Sequence, residues 1–343
     1  MIIEEINTEF DWSKTLTKIS TYDPCYEYCF HKAYAEHMQA KKIIMLKVTE
    51  ENNSLIYPFL LFRVPKYISK DNFYYATSVY GFTGPMITYE QKEFVHNAFN
   101  FIENWFNKNK VIAEFIRISP FNQENFEILR MKNYLIENNR ELSFWDTSCL
   151  VDKYKENYYT CNMSRRALKL GAKFKKISLN NFNDFKEIYH QTMNINKADI
   201  FFNYDNNYFE TLLNGKMKSK NHLYGIYDNE NKITSAAWFI SNKEYGYYHL
   251  GCSNRSIQGA SDLVLKEGIK DLVYQGVKKI NLTGGRTTLK DDPLLKFKKR
   301  MGNNIKNFYI AKRSINKKVY IQLVNKYLEI HANNDAKKFI PWD

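Results

Sequence analysis

Lys298 stands in the basic run Lys296-Phe297-Lys298-Lys299-Arg300, shortly after the turn Gly284-Gly285-Arg286 and the acids Asp291 and Asp292. A cation held beside a developing oxyanion stabilises a transition state more than a ground state. Charge runs are more often solvated faces, so the local run alone favours a surface lysine. Gly284 and Gly285 follow an apolar strand, where glycine permits a positive φ and close backbone approach to a ligand, or only a tight turn. Arg286 suits bidentate contact with phosphate or carboxylate; plain surface exposure fits it equally. For a proton acceptor the chain offers His249, which shares a strand face with Tyr245 and Tyr247, or Asp291 or Asp292. A packed, hydrogen-bonded strand histidine is the competing reading of His249.

A second group lies in the first half. Tyr80-Gly81-Phe82-Thr83-Gly84-Pro85 is a loop whose glycines and proline forbid regular structure, and Tyr80, Gly84 and Pro85 either line an acceptor pocket or turn a corner. Arg117 sits among apolar strand residues, which calls for a bound phosphate or a carboxylate partner. Arg165 and Arg166, with Lys169 and Lys173, make a basic helix: a phosphate or tRNA contact, or a solvated face.

The elements that would position these groups follow from periodicity. In the first half, helices are expected at 23–39 and 91–107, with strands at 43–48, 56–62, 73–76 and 113–118. In the second, a strand is expected at 149–151, helices at 162–170, 181–194 and 208–218, and a meander of strands at 223–227, 233–240 and 245–250. A helix at 261–274, a strand at 279–282 and a short helix at 294–300 complete it. On that short helix Leu294, Phe297 and Lys298 share a face, so the two apolar residues should anchor it and bring Lys298 to the Gly284-Gly285 turn. Lys296 and Lys299 should face solvent. The amphipathic stretch 315–331 packs on either half. Both halves read as mixed α/β, divided near residue 150 with no linker, giving domains at 1–150 and 151–314.

The net charge of +13 suggests phosphate-rich partners, but the lysines are scattered with no run of five or six, which favours a local phosphate site over a nucleic-acid groove. No signal sequence, spanning stretch or metal-site cysteine spacing is visible, so the expectation is a cytoplasmic protein with reduced thiols and no metal.

Several segments, in order, resemble the Fem family of GNAT-fold acyltransferases. Tyr57-Pro58-Phe59-Leu60 is similar to its "PFLL" strand, Tyr80 to Pro85 to its aromatic-Gly loop, and Phe115 to Pro120 to its "IRF-x-P" strand. Ile188 to Met193 resembles its "IYxETM" helix and Tyr208-Phe209 the "YF" after it. Leu282-Thr283-Gly284-Gly285-Arg286 with Asp292 to Lys299 is similar to its Gly-Gly turn, acidic loop and "LxxFK" segment. The resemblance implies two GNAT-like domains, each a mixed, mostly antiparallel sheet flanked by helices, with a substrate channel between them. It also implies Lys298 as the oxyanion cation. The donor is aminoacyl-tRNA, or acyl-CoA as in a related polysaccharide-linked branch. The acceptor is an amine of a nucleotide- or lipid-linked saccharide or muropeptide, with tRNA and the cytoplasmic membrane face as further partners and a monomer or weak homodimer as the assembly. The alternative is an inactive saccharide- or RNA-binding module. Two departures leave the donor open: Asn254 to Ser261 keeps Gly259-Ala260 without the full phosphate-loop spacing of CoA enzymes, and no long helical hairpin insertion of the tRNA enzymes is visible. An acyl-CoA donor would need a helix opening at Gly259 over a splayed pair of strands.

Overall fold

Branched and aromatic runs fold here as strands, and the segments of 3.6-residue period fold as helices packed on them. The computed structural model describes residues 1–87, 92–121, 126–149, 158–331 and 338–342. The chain divides into two units: Met1–Ser20 with Cys25–Asn139 and Phe308–Asp343, and Thr21–Pro24 with Arg140–Asn307.

The first unit contains β1 (Ile2–Ile6), α1 (Glu9–Leu16), α2 (Tyr28–His37), β2 (Lys42–Glu50), β3 (Asn53–Arg63), β4 (Tyr74–Thr77), β5 (Met86–Ile87), α3 (Lys92–Lys108), β6 (Val111–Arg117) and α4 (Phe126–Met131). β7 (Leu135–Asp146) begins in this unit and passes into the second at Arg140. β2 and β3 form the expected hairpin, closing at Glu50↔Asn53, with Glu51 in the left-handed region at φ 52°. β3 pairs β4 antiparallel and β4 runs parallel to β6. α3 lays Phe94, Ala98, Ile102 and Phe106 against Ile44, Tyr57, Phe59 and Ile116. Beneath that layer lies Glu114, fully buried. It accepts hydrogen bonds from Tyr57 Oη at 2.8 Å, Tyr134 Oη at 2.6 Å and Arg313 Nε at 2.7 Å.

The second unit contains α5 (Tyr158–Lys169), β8 (Lys173–Lys176), α6 (Phe182–Ile195), α7 (Asn206–Asn214), β9 (Lys220–Tyr227), β10 (Ile233–Ser241), β11 (Tyr245–Ser253), α8 (Ala260–Tyr274), β12 (Lys279–Thr283) and α9 (Pro293–Met301). β13 (Asn304–Ser314) begins here and enters the first unit at Phe308, where it pairs with β6; α10 (Lys317–Ile330) follows it in that unit. The strand order β8-β9-β10-β11-β12-β7 is antiparallel apart from β11 beside β12. α8 covers one face, with Leu263, Val264, Ile269 and Leu272 against Ala237, Phe239 and Ile280. Trp238, on the other face, meets Phe182 and Phe185 of α6 and Phe209 of α7. Each unit is thus a mixed, mostly antiparallel sheet flanked by helices.

Three details differ from expectation. The helix expected at 23–39 opens as the 3-10 turn Pro24–Tyr26 before α2 begins. Cys149 closes a second 3-10 turn, Thr147–Cys149, instead of starting a strand; Leu150 and Val151 lie outside the described residues. The strands β1, β5, β7, β8 and β13 and the helices α1 and α4 are additions that periodicity did not reveal.

Candidate active site

α9 begins where Asp292 caps it. Oδ1 of Asp292 accepts the amide of Leu295 at 3.0 Å, and Oδ2 accepts the amide and hydroxyl of Thr287 at 2.9 and 3.0 Å. Burial alone would raise the pKa of this carboxyl, but the amides of Leu295 and Thr287 outweigh that and hold it below its ordinary value. A cap of this kind satisfies amides that a helix start leaves unpaired. Gly285 is needed there for a steric reason, since a Cβ at that position would stand 2.4 Å from the Asp292 carboxylate.

From that start α9 turns Leu295, Lys298 and Met301 inward, and Leu294 and Phe297 are only half-buried. The anchoring stripe is thus one residue out of phase with the expected one, because the proline-led first turn fixes Leu295 on the core. Lys298 keeps only 6% of its surface exposed. Its Nζ donates to Gly284 O at 2.9 Å and also to Thr283 Oγ1. The aromatic ring of Tyr248 lies 5.5 Å from that nitrogen. Burial pushes the Lys298 pKa down to about 7; the charge of Asp292 opposes this, and that of Arg140 adds to it. The basic run therefore does not behave as one solvated face. Lys296 is exposed and pairs with Asp291 at 2.9 Å, and Lys299 is half-buried against Glu141 at 2.7 Å, not free in solvent as expected.

The turn under Lys298 is strained at an unexpected residue. Thr283, not either glycine, takes the left-handed conformation, with φ 66°. A β-branched residue there costs of order 1–3 kcal/mol and persists where surrounding contacts impose it. The Thr283 amide donates to the buried Asn281 Oδ1 at 2.8 Å, and Arg140 Nη1 donates to Gly285 O at 2.9 Å. Thr283, Arg140 and Tyr248 belong to this cluster although the sequence did not single them out. A β-branched residue preceding two glycines was the one available signal.

The cluster sits where two parallel strands part. β11 and β12 pair from Tyr245↔Lys279 to Tyr247↔Asn281, and no further among the described residues, although β11 runs on to Ser253. At the same level β11 carries a bulge against β10: Trp238 pairs with Leu250 and Phe239 with Tyr248, leaving His249 as the extra residue.

No family profile matches the sequence, and no curated protein is similar to it. Solved structures are. FemX superposes with a TM-score of 0.69 at 12% identity, over 93% of this chain and 99% of that one. L-PGS from Bacillus licheniformis gives 0.60 at 11% identity, over 95% and 99%. A tandem GNAT protein from the clavulanic acid biosynthesis pathway gives 0.50 at 9% identity, over 92% and 99%. The chain has the tandem GNAT fold of FemX.

Within that fold the remaining predicted residues fall into separate places. His249 does not join Lys298. Tyr248 packs with Phe239 on the α8 face, whereas His249 lies 5.0 Å from Trp238 and its Nε2 is 3.1 Å from Tyr208 Oη. Burial lowers its pKa to about 3, so the ring stays neutral at physiological pH. Arg286 and Arg165 are exposed. Tyr80, Gly84, Pro85 and Arg117 lie in the first unit. Gly84 and Pro85 are buried, and Gly84, at φ 136°, accepts a hydrogen bond from Tyr26 Oη at 2.9 Å, so this part of the loop is a corner. Tyr80 is 39% exposed, and the guanidinium of Arg117 lies 5.7 Å from its ring and 4.8 Å from that of Phe115. Arg117 also donates to Ser78 O at 3.1 Å. The strand's carboxylate, Glu114, is engaged by Arg313 instead. α8 opens at Gly259, at φ 86°, as an acyl-CoA donor would need, and a Cβ there would come within 2.1 Å of the Met163 carbonyl, so only glycine lets α5 pack this closely.

Proposed function

We propose that this protein is an N-acyltransferase that moves an acyl group onto an amine of a nucleotide- or lipid-linked saccharide or muropeptide precursor of the cell envelope. The observation that carries the reading is the buried Lys298 ammonium, held over the Thr283-Gly284 turn where β11 and β12 part. The acceptor amine attacks the acyl carbonyl, a C–N bond forms, and the carbonyl electron pair moves onto oxygen. Lys298 spends two donors on Thr283 and Gly284 and has a third for that oxyanion. Collapse breaks the bond to the leaving group, which leaves with the proton that the amine loses. Neither His249, neutral and packed, nor Asp292, charged and engaged as a cap, is suited to hold that proton, so the transfer between amine and leaving group is direct in this scheme.

The donor in this reading is aminoacyl-tRNA or acyl-CoA; the opening of α8 at Gly259 and the parting of β11 from β12 are the features an acyl-CoA donor needs. Thermal shift with acetyl-CoA beside gel retardation with charged tRNA tests the donor, and transfer of labelled acyl group to an amino-sugar precursor tests the reaction. Stabilisation by acetyl-CoA without retention of tRNA would assign acyl-CoA as the donor, and the converse would assign aminoacyl-tRNA. Absence of transfer from either donor would leave a binding module and sink the enzyme.

A further inference from the structure

At one end of the second unit's sheet, basic side chains surround exposed leucines. Helix α5 is pinned by Ser164 and Ala167, which are buried, so Arg165, Arg166, Leu168 and Lys169 all turn outward, followed by Leu170 and Lys173. Leu168 and Leu170 are each 53% exposed. Neighbouring loops extend the same surface. A Cβ on Gly171 would lie 2.5 Å from the side-chain amide of Asn229, and Lys175 Nζ donates to Asn231 Oδ1 at 3.0 Å, which places the β9–β10 turn alongside. Gly259 abuts Met163, and Arg255, exposed, donates to Asn196 Oδ1 at 2.5 Å beside the 51%-exposed Ile195.

The charge on this surface is one-sided. No ion pair to Arg165, Arg166, Lys169 or Lys173 occurs among the described residues. The nearby acids are engaged: Asp228 Oδ1 accepts the amides of Glu230 and Lys232, each at 2.9 Å, Glu230 pairs with Lys232, and Asp271 with Lys176. Single exposed leucines are ordinary on a surface. Two of them within a cationic rim form a pattern that suits a bilayer interface, where aliphatic groups enter the acyl boundary and cations meet lipid phosphates. A single-stranded RNA surface would instead present aromatic platforms for bases. The exposed rings among the described residues, such as Tyr67, Phe101 and Tyr274, lie outside these segments.

We propose that this surface docks on an anionic lipid bilayer, with Leu168 and Leu170 at the headgroup–acyl boundary and the surrounding arginines and lysines on lipid phosphates. The docking does not depend on the transferase reading. It is tested by flotation of the full chain with phosphatidylcholine vesicles and with equimolar phosphatidylcholine–phosphatidylglycerol vesicles. Binding is expected only to the second. Each surface cation removed lowers partitioning roughly fivefold, so Arg165→Gln, Lys169→Gln and Lys173→Gln combined should lower it by about two orders of magnitude. The control Lys317→Gln, Lys318→Gln, Lys326→Gln on α10 makes the same change in net charge and should bind like the unaltered protein. Leu168→Ser with Leu170→Ser should lower partitioning roughly tenfold. All eight sites are solvent-facing, and unchanged melting temperatures will show that the variants fold. Equal losses in both charge variants would overturn the proposal in favour of net charge alone. So would an unaffected leucine variant, or binding to a single-stranded RNA homopolymer that survives the serine substitutions while vesicle binding is absent.

Discussion

Replacing Lys298 by methionine separates what the residue does for stability from what it does for chemistry. Methionine has a similar length and no charge, and it leaves Gly284 O without its donor. An orphaned buried acceptor costs about 1–3 kcal/mol. Against this, the folded protein must hold Lys298 in a site that disfavours its charged form. A depression from 10.5 to about 7 corresponds to at most about 5 kcal/mol. The sign follows from proton counts. Between pH 7 and 10.5 the unfolded chain keeps the lysine proton and the folded chain has released it, so stability from this group rises with pH across that window and is flat below it. Urea denaturation of both proteins from pH 6 to pH 10 should therefore show the unaltered protein gaining several kcal/mol relative to Lys298→Met. At pH 7 the two should be nearly equal, or the variant the more stable. Activity should move the other way. Loss of one oxyanion donor costs about 10²–10³ in kcat, and turnover by the unaltered protein should decline as pH rises through 7 and the ammonium is lost. Parallel stability curves would show that Lys298 does not titrate in this window. Equal turnover in the two proteins would return it to a structural role.

Other substitutions probe the frame around it. Lys299→Ala loses a partly exposed pair with Glu141 and should change stability by no more than about 1 kcal/mol and leave turnover within twofold. Gly285→Ala drives a methyl into the Asp292 carboxylate and should lower both melting temperature and turnover; unchanged values would mean that the turn relaxes freely. His249→Phe keeps the edge-to-face contact with Trp238 but loses the hydrogen bond with Tyr208, and should cost less than tenfold in kcat with an unchanged pH profile; a loss as large as that of Lys298→Met would restore His249 as a proton acceptor. Glu114→Ala leaves Arg313 buried without its main partner and should cost about 3–5 kcal/mol in the first unit, read by chemical denaturation.

Periodicity located most helices and most strands because each of those segments buries one continuous face, as α3 does with Phe94, Ala98 and Ile102. It passed over the short α1, α4, β1, β5 and β8 and the long β7 and β13. β7 reads Leu-Ile-Glu-Asn-Asn-Arg-Glu before it turns apolar, and it is held by pairing with β12 at Ser143↔Thr283 and Asn281↔Phe144. Its strand character is supplied by partners distant in sequence, which no local window contains. The same remoteness hid Arg140 and Glu141, which β7 delivers to Gly285 and Lys299.

The burial of Lys298 was hidden in the same way. Within its run Lys298 is chemically indistinguishable from Lys296 and Lys299, and only the phase of α9 decides which of the three goes inside. That phase is set by Asp292 and Pro293 at the helix start, through the capped amide of Leu295. One residue on, at Lys296, the helix faces water; two further, at Lys298, it faces the strained turn at Thr283. A one-residue slip of the cap would expose Lys298 and bury a neighbour. The acid before the basic run therefore selects the lysine. An Asp292→Ala substitution should then lower turnover through lost positioning of Lys298, with a smaller fall than Lys298→Met and partial rescue by Asp292→Asn, which keeps the Oδ1 acceptor for the Leu295 amide. No rescue by asparagine, with folding intact, would mean that the charge of Asp292 and not its cap governs the site.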